Sequence, residues 1–296
     1  MRPVLCVGAL TFDTIFLLDM LPDSTGKIIP IDAVEVAEGM AAAQAATIVR
    51  LGGKSALWAS AGDDVTGDRL VRDISAAGVD TSLVRRMPGL RSGFSSILMD
   101  RTGQTIIVPR YDPDVMAPPE AAPDVSGYSA VMVDVRWPGA ARLALIAARE
   151  AGVAGILDAD MASVDVLEDL FPLASHVVSS ESAARVLAGG SGPADAARRL
   201  GERHPGFVAV TAGADGCWWR DGDAFRHTPA PRITAVDTLA AGDVFHAAFA
   251  LLLVEGRPMA EIIRFASAAA AIKCTRFGGR LGTPDRAEVE AFLARS

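Results

Sequence analysis

The sequence predicts an α/β protein in which a mostly parallel sheet lies between two layers of helices. From Tyr128 onwards, apolar strand-like runs alternate with helix-like segments, with a period of about 25 to 35 residues. Residues 3–10 form a near-continuous apolar run, which is typical of a central parallel strand. Residues 93–111 instead have a hairpin pattern around Asp100–Gly103, which predicts a small separate sheet.

Length and composition predict one domain rather than several. A chain of 296 residues fits one large α/β domain, and no Gly/Ser/Pro linker divides it. We therefore expect a single domain over residues 1–296. A small sheet formed by residues 14–36 and 91–112 would project from it as a lid over a cleft.

Charge and cysteine content exclude several classes of protein. The net charge of -8 and the absence of a Lys/Arg run argue against nucleic acid as the partner. No uncharged apolar run reaches the ~18 residues of a membrane span, and the N-terminal run is better interpreted as a strand than as a signal peptide. We expect a cytoplasmic protein with no membrane partner. Three scattered cysteines without CxxC spacing indicate neither a disulfide framework nor a metal site.

The N-terminal half contains the predicted lid. Short β-rich patches within residues 15–36 would pair with the hairpin at 93–111. Between them, residues 39–51 predict a helix that ends at Gly52, residues 54–61 predict a strand, and residues 67–77 predict a second helix.

The C-terminal half predicts the alternating layers. The expected strands follow Ser129, Gly152, Ala174 and Gly206, and helices are expected at 139–151, 163–171, 181–188, 193–203 and 259–272. Charged residues at two strand ends, including Asp134, Arg136, Asp158 and Asp160, should lie at the carboxyl edge of the sheet, where open α/β folds bind ligands.

The most informative stretch is 237–256, DTLAAGDVFHAAFALLLVEG. Its apolar part predicts a helix that is buried on nearly all sides. The small residues Ala240, Ala241 and Gly242 leave the first amides of that helix accessible to an anion such as phosphate. Asp243 beside them could accept a proton from an attacking hydroxyl, or it could simply cap the helix.

These residues resemble a known family. DTLAAGD at 237–243 resembles the DTxGAGD signature of the ribokinase/PfkB sugar kinases, and turns similar to GxDxxG and TxGxxG occur at 62–67 and 211–216. The resemblance implies a ribokinase-like fold, ATP and Mg²⁺ as cofactors, Asp243 as catalytic base, and an anion hole at Ala240, Ala241 and Gly242. Ala240 replaces a family glycine, so a positive φ there would cost roughly a kcal/mol.

The resemblance also implies binding residues. Asp13 and Gly39 would contact the sugar, and Thr211, Gly213, Gly216, Gly278 and Gly279 would contact the nucleotide. Two departures stand out. Glu38, Gly39 and Ala43 lie where the family has GGxxxN, and the family's NxxE motif is replaced by residues 180–183, in which Glu181 is the candidate metal ligand. K⁺ is a third candidate cofactor, and a homodimer formed through the lids is implied.

Within the family, the patterns are most similar to those of ketohexokinases and, more closely, sulfofructose kinases. Lys27, Arg110 and Arg136 are candidate cations around the far end of the sugar, which favours a ketose with a sulfonate or phosphate. Arg136 could instead form a salt bridge with a neighbouring aspartate. A kinase of a neutral sugar or nucleoside, and a catalytically impaired sugar-binding regulator, remain alternatives.

Overall fold

The computed structural model describes residues 2–295. Its strands, numbered in chain order, are β1 (Val4–Gly8), β2 (Thr11–Leu17), β3 (Asp32–Glu38), β4 (Ser55–Gly62), β5 (Arg85–Met87), β6 (Phe94–Met99), β7 (Thr105–Arg110), β8 (Ala130–Val133), β9 (Ala154–Ala159), β10 (His176–Ser180), β11 (Phe207–Thr211), β12 (Cys217–Asp221) and β13 (Ala224–Thr228). Its helices are α1 (Met40–Arg50), α2 (Val65–Ala76), α3 (Pro138–Glu150), α4 (Val164–Leu170), α5 (Glu181–Ala188), α6 (Pro193–Arg203), α7 (Ala241–Val254), α8 (Met259–Cys274) and α9 (Arg286–Leu293).

The large sheet has the strand order β13-β12-β11-β10-β9-β8-β1-β4-β5. The strands from β11 to β5 are parallel, as predicted, and β12 and β13 extend the sheet as an antiparallel hairpin. The sequence analysis missed this hairpin and helix α9. A signal for the hairpin was present, because Asp221-Gly222 separates two β-rich runs.

Alternating side chains of the parallel strands fill two cores. Val4 and Cys6 of β1 pack in the core that contains α1, α7 and α8, whereas Leu5 and Val7 pack in the core that contains α3 to α6. Each strand therefore buries both of its faces, as its continuous apolar sequence predicted. The predicted three-layer α/β/α architecture is confirmed.

The small sheet has the order β3-β2-β6-β7. It contains the predicted hairpin, but its boundaries differ from the expected ones in two places. Strand β2 begins at Thr11, so Asp13 lies within the small sheet and not at the end of β1. Residues 27–31 form no strand, because Pro30 lacks an N–H and Ile29 is 83% exposed, with no sheet face to cover it.

A buried carboxylate fixes the carboxyl edge of the large sheet. Asp134 follows β8, and its oxygens accept the amides of Ala9 (2.8 Å), Ala41 (3.1 Å) and Arg136 (2.7 Å). Gly8 is required here, since a Cβ at that position would lie 2.1 Å from the Asp134 carboxylate. The start of α1 is thereby held against the ends of β1 and β8.

None of the helices in residues 2–295 has both the length and the apolar character required to cross a membrane.

Candidate active site

The turn that leads into α7 presents free backbone amides. Ala240 has φ 58° and ψ 7°, and it is the one non-glycine residue with positive φ in residues 2–295. The strain that was predicted for this position is therefore present. The amides of Gly242 and Asp243 have no acceptor within residues 2–295, and a Cβ added at Gly242 would meet open space. An anion can approach both amides at the positive end of the helix.

One expected donor is not free. The Ala241 amide donates to Thr238 O at 3.2 Å, because the tight turn that places Ala240 in the left-handed region also closes this hydrogen bond. The candidate anion hole thus consists of two amides, those of Gly242 and Asp243, instead of the three that were expected.

Asp243 does not cap α7. The N-cap position is Ala240, no side chain caps the helix, and the Asp243 carboxylate lies in the first helical turn. Its recorded partner is Gln44, with Nε2 of Gln44 3.5 Å from Oδ1 of Asp243. Burial raises the pKa of Asp243 well above its ordinary value, and the nearby carboxylates of Asp158 and Glu38 raise it further. A carboxylate with a raised pKa is a better proton acceptor for a hydroxyl than an ordinary one.

Behind Asp243 lies a buried polar network that the sequence analysis did not find. Gln44 Nε2 donates to Oδ2 of Asp158 at 2.6 Å, and His246 Nε2 lies 3.2 Å from Oδ1 of the same carboxyl. His246 Nδ1 also lies 2.7 Å from Gly242 O. The network ties the first turn of α7 to strand β9. The one signal in the sequence was His246 itself, the lone polar residue in the apolar run.

His246 joins three oxygen atoms in this network. Both imidazole nitrogens of His246 face oxygen acceptors, yet a neutral imidazole has only one N–H. Burial raises the pKa of Asp158 and lowers that of His246. Both shifts favour the neutral forms of the two side chains, so burial opposes a charged Asp158–His246 pair.

Glu38 connects the small sheet to the glycine-rich loop after α8. Its Oε1 accepts the amide of Arg280 at 2.7 Å, and the Arg280 guanidinium donates to Ala37 O. Glu38 is 6% exposed, and burial raises its pKa to about 7. A Cβ at Gly279 would lie 2.3 Å from Oε1 of Glu38, so the loop needs glycine at this position.

Two of the predicted sugar-binding residues lie at the same end of the sheet. Oδ1 of Asp13 accepts the hydroxyls of Ser95 (2.7 Å) and Thr11 (3.1 Å), and within residues 2–295 its Oδ2 has no partner. Gly39 is the N-cap of α1 with φ 100°, and a Cβ there would lie 2.6 Å from Ala9 O. Asp13 therefore offers one free oxygen to a ligand hydroxyl.

The three candidate cations differ in availability. The Arg136 guanidinium donates to Asp160 Oδ2 (3.0 Å) and Met161 O (2.7 Å), so the salt-bridge alternative is observed, and its role as an anion fork stays a prediction. Lys27 is exposed in a segment without strand or helix. Arg110 has a buried Nη1 with no hydrogen-bond partner among the described residues. A buried charged donor without an acceptor is costly, so Arg110 is the best placed of the three to bind an anion.

The residues expected to bind nucleotide lie at the ends of β11 and α8. Thr211 donates through its hydroxyl to Ser179 O at 3.3 Å, and Gly213 has positive φ with open space beside it. Gly216 is structural, since a Cβ there would lie 2.2 Å from Thr228 O. The amides of Gly278 and Gly279 both donate to Oδ2 of Asp237 at 2.9 Å. Any contact of these two glycines with a nucleotide would therefore not use their amides.

No dedicated metal cage is present in the described part of the chain, because no group of three or more His, Cys, Asp or Glu could hold an ion. The Glu181 carboxylate forms an ion pair with Arg185 one turn later in α5. The lack of such a cage among the described residues is compatible with Mg²⁺, because this ion is usually held by substrate phosphates and waters with only one or two protein carboxylates.

A nine-stranded α/β sheet with free helix amides and a high-pKa carboxylate at its carboxyl edge defines a phosphotransferase-type site. Comparison with known proteins agrees. The pfkB family carbohydrate kinase profile matches residues 1–286. A ribokinase of Bacillus subtilis is 24% identical over 297 residues, covering 99% of this chain and all of the relative. A mouse ribokinase is 27% identical over 305 residues, covering 98% of this chain and 94% of the relative.

Solved structures give the same result. A candidate ribokinase of Agrobacterium tumefaciens has a TM-score of 0.97 and 44% identity, covering 99% of this chain and 98% of that one. Arabidopsis thaliana ribokinase complexed with ribose and ATP has a TM-score of 0.85 and 25% identity, covering 100% of this chain and 99% of that one. The chain belongs to the PfkB family of carbohydrate kinases and is an ATP-dependent enzyme of that family. The predicted closeness to sulfofructose kinases stays a prediction.

We expect Glu38→Gln to stabilise the protein in a pH-dependent way. The folded state holds the Glu38 proton up to about pH 7, whereas an ordinary Glu loses it near 4.5, so the wild type loses stability between these values as the pH rises. The side-chain oxygen of Gln can still accept the Arg280 amide, but Gln cannot ionise and so never places a negative charge at this buried position. Its advantage in the free energy of unfolding should grow through this window to the order of 3 kcal/mol and stay constant above it.

Denaturant titrations between pH 4 and 8 would measure this advantage, with the exposed Glu120→Gln as the matched control. The control should change stability by less than about 0.5 kcal/mol at every pH. A pH-independent difference between Glu38→Gln and the wild type would contradict the assigned cause.

Proposed function

We propose that this kinase transfers the γ-phosphoryl group of Mg-ATP to a primary hydroxyl of a sugar. The observation that carries the proposal is that the amides of Gly242 and Asp243 have no acceptor within residues 2–295 and lie next to the Asp243 carboxylate, whose pKa is raised. Phosphoryl transfer needs donors for the equatorial oxygens and a group that positions and deprotonates the nucleophile. The start of α7 supplies both within a single helical turn.

In this mechanism, the sugar is oriented by Asp13 and its hydroxyl lies against Asp243. Asp243 accepts the hydroxyl proton as the new P–O bond forms, which is easier than for an ordinary carboxylate because its pKa is raised. The amides of Gly242 and Asp243 hold the transferring oxygens, and Gln44 orients the Asp243 carboxylate. Mg²⁺ bound with the nucleotide would neutralise phosphate charge, and Glu181 is the carboxylate that could approach it at this edge of the sheet.

The small sheet would act as a lid. It carries Asp13 and Arg110 and is joined to the large sheet by the short segment between β1 and β2. A closed lid excludes water, which would otherwise compete with the sugar as phosphoryl acceptor.

A ketose with a sulfonate or phosphate at its far end is the substrate class that Arg110 favours. Its buried Nη1 has no acceptor among residues 2–295, and an anionic substituent would supply one. A neutral sugar is the alternative, supported by relatives named ribokinase.

A substrate panel tests the reaction itself. Ribose, fructose, fructose 6-phosphate and 6-deoxy-6-sulfofructose would each be incubated with Mg-ATP, and ADP release would be measured. We expect turnover with at least one sugar and a loss of at least about a hundredfold in kcat for Asp243→Asn, with ATP affinity nearly unchanged. Absence of ADP release with every sugar would favour the regulator alternative, and full turnover of Asp243→Asn would refute its role as base.

Arg110→Gln tests the substrate class. We expect its KM for the anionic ketoses to rise by about tenfold or more, since a charge-assisted hydrogen bond is lost, while its KM for neutral sugars stays unchanged. Arg91→Gln is the matched control, because Arg91 is exposed before β6 and forms no ion pair in the described residues. Higher wild-type kcat/KM for ribose than for every anionic ketose would favour the neutral alternative.

A homodimer formed through the small sheets accounts for its exposed apolar edge. Strand β7 pairs on one side only, and Ile106, Ile107 and Val108 are 39%, 51% and 58% exposed. An uncovered apolar edge strand tends to associate with another chain, and a second copy would cover this one. Sedimentation should give about twice the 30.8 kDa chain mass, and Ile107→Asp should give the monomer mass. A monomeric wild type would contradict this proposal.

A further inference from the structure

A buried ammonium group contacts Asp237, the residue at which the turn into α7 (residues 237–243) begins. Nζ of Lys273, near the end of α8, lies 2.8 Å from Asp237 O and 3.1 Å from Asp237 Oδ1. Both side chains are 0% exposed. Long cationic side chains are almost never buried completely unless a partner holds the charge, and here the partner is three residues before Ala240.

The same carboxylate organises two segments of the site. Oδ1 of Asp237 also accepts the Leu239 amide at 2.7 Å, and its Oδ2 accepts the amides of Gly278 and Gly279. The turn into α7 and the glycine-rich loop therefore converge on one negative charge. Lys273 is the cation that compensates this charge, and no water-exposed path screens the pair.

The geometry does not fit an added K⁺ at this point. A hard cation needs a shell of several oxygen ligands. The two oxygens of Asp237 that could begin such a shell already face Nζ at hydrogen-bond distance, and both side chains are completely buried. Burial lowers the pKa of Lys273, but the Asp237 carboxylate opposes this shift and favours the ammonium form.

We propose that Lys273 is a positioning residue that acts as a built-in monovalent cation, so that the turn at Ala240 is held for phosphoryl transfer without K⁺. The inference rests on the proposed kinase function and goes beyond it, because it concerns the cation requirement of the reaction. A merely structural lysine would affect stability and leave the folded enzyme's turnover intact. A positioning residue should change kcat more than the KM for ATP.

The first test needs no variant. Wild-type turnover would be measured in KCl and in tetramethylammonium chloride at equal ionic strength. We expect the two rates to agree within about twofold, because the site contains its own cation. A rise of about tenfold or more on adding K⁺ would overturn the proposal. Absence of ADP release in both salts would instead count against the kinase function, so the two failures are distinguishable.

The second test uses Lys273→Met, which keeps the length of the side chain and removes the charge. We expect kcat to fall by at least about tenfold with a smaller change in the KM for ATP. Lys54→Met is the matched control, because Lys54 is exposed before β4, and it should behave as wild type. Folded Lys273→Met with wild-type kcat would also overturn the proposal.

The third test is rescue. In Lys273→Ala, ammonium, ethylammonium or K⁺ should restore part of the lost kcat, whereas tetramethylammonium, which is too large and cannot donate a hydrogen bond, should not. Restoration of kcat by a small cation would support the proposal that the charge of Lys273 positions the turn. A lysine with a purely structural role would not give such a rescue. If both variants fail to fold, the wild-type salt comparison still decides the proposal.

Discussion

The shape of the turn at residues 237–243 depends on the carboxylate of Asp237. Buried completely, it accepts three backbone amides, from Leu239, Gly278 and Gly279, and pairs with Lys273. Breaking a buried pair of this kind by removing one partner is strongly destabilising. Three residues after Asp237, Ala240 lies in the left-handed conformation, and α7 then begins with two amides that have no acceptor within residues 2–295.

The charge distribution at the site depends on how deeply each aspartate is buried and on which hydrogen-bond donors its carboxyl oxygens have. Asp134 accepts three backbone amides, and Asp158 contacts Gln44 and His246, so the oxygens of both carboxyls are engaged within the protein. Asp243 has only a long contact with Gln44, and this leaves its oxygens available for a hydroxyl. In the proposed reaction, the helix amides would offset the charge of the incoming phosphoryl group.

Local patterns predicted the fold and part of the site, whereas long-range pairings could not be predicted. The apolar runs predicted the parallel strands, the small-residue entry to α7 predicted accessible helix amides, and the resemblance to a family with glycine at position 240 predicted the strain at Ala240. Glu38 pairs with Arg280, 242 residues away, and Gln44 with Asp158, 114 residues away. No periodicity in the sequence reports such contacts. Arg136 illustrates the same limit, because its partner Asp160 was one of several aspartates at the same edge.

In the proposed reaction, the Gly242 and Asp243 amides bind the transferring phosphoryl group beside the Asp243 carboxylate. A crystal structure with Mg-ADP, aluminium fluoride and a sugar that the enzyme phosphorylates would test this binding mode, because aluminium fluoride mimics the phosphoryl group during transfer. Both amide nitrogens should lie about 2.7–3.2 Å from fluorine atoms, with an Asp243 oxygen at hydrogen-bond distance from the sugar hydroxyl. Aluminium fluoride bound away from the start of α7, or Asp243 turned from the sugar, would contradict the claim.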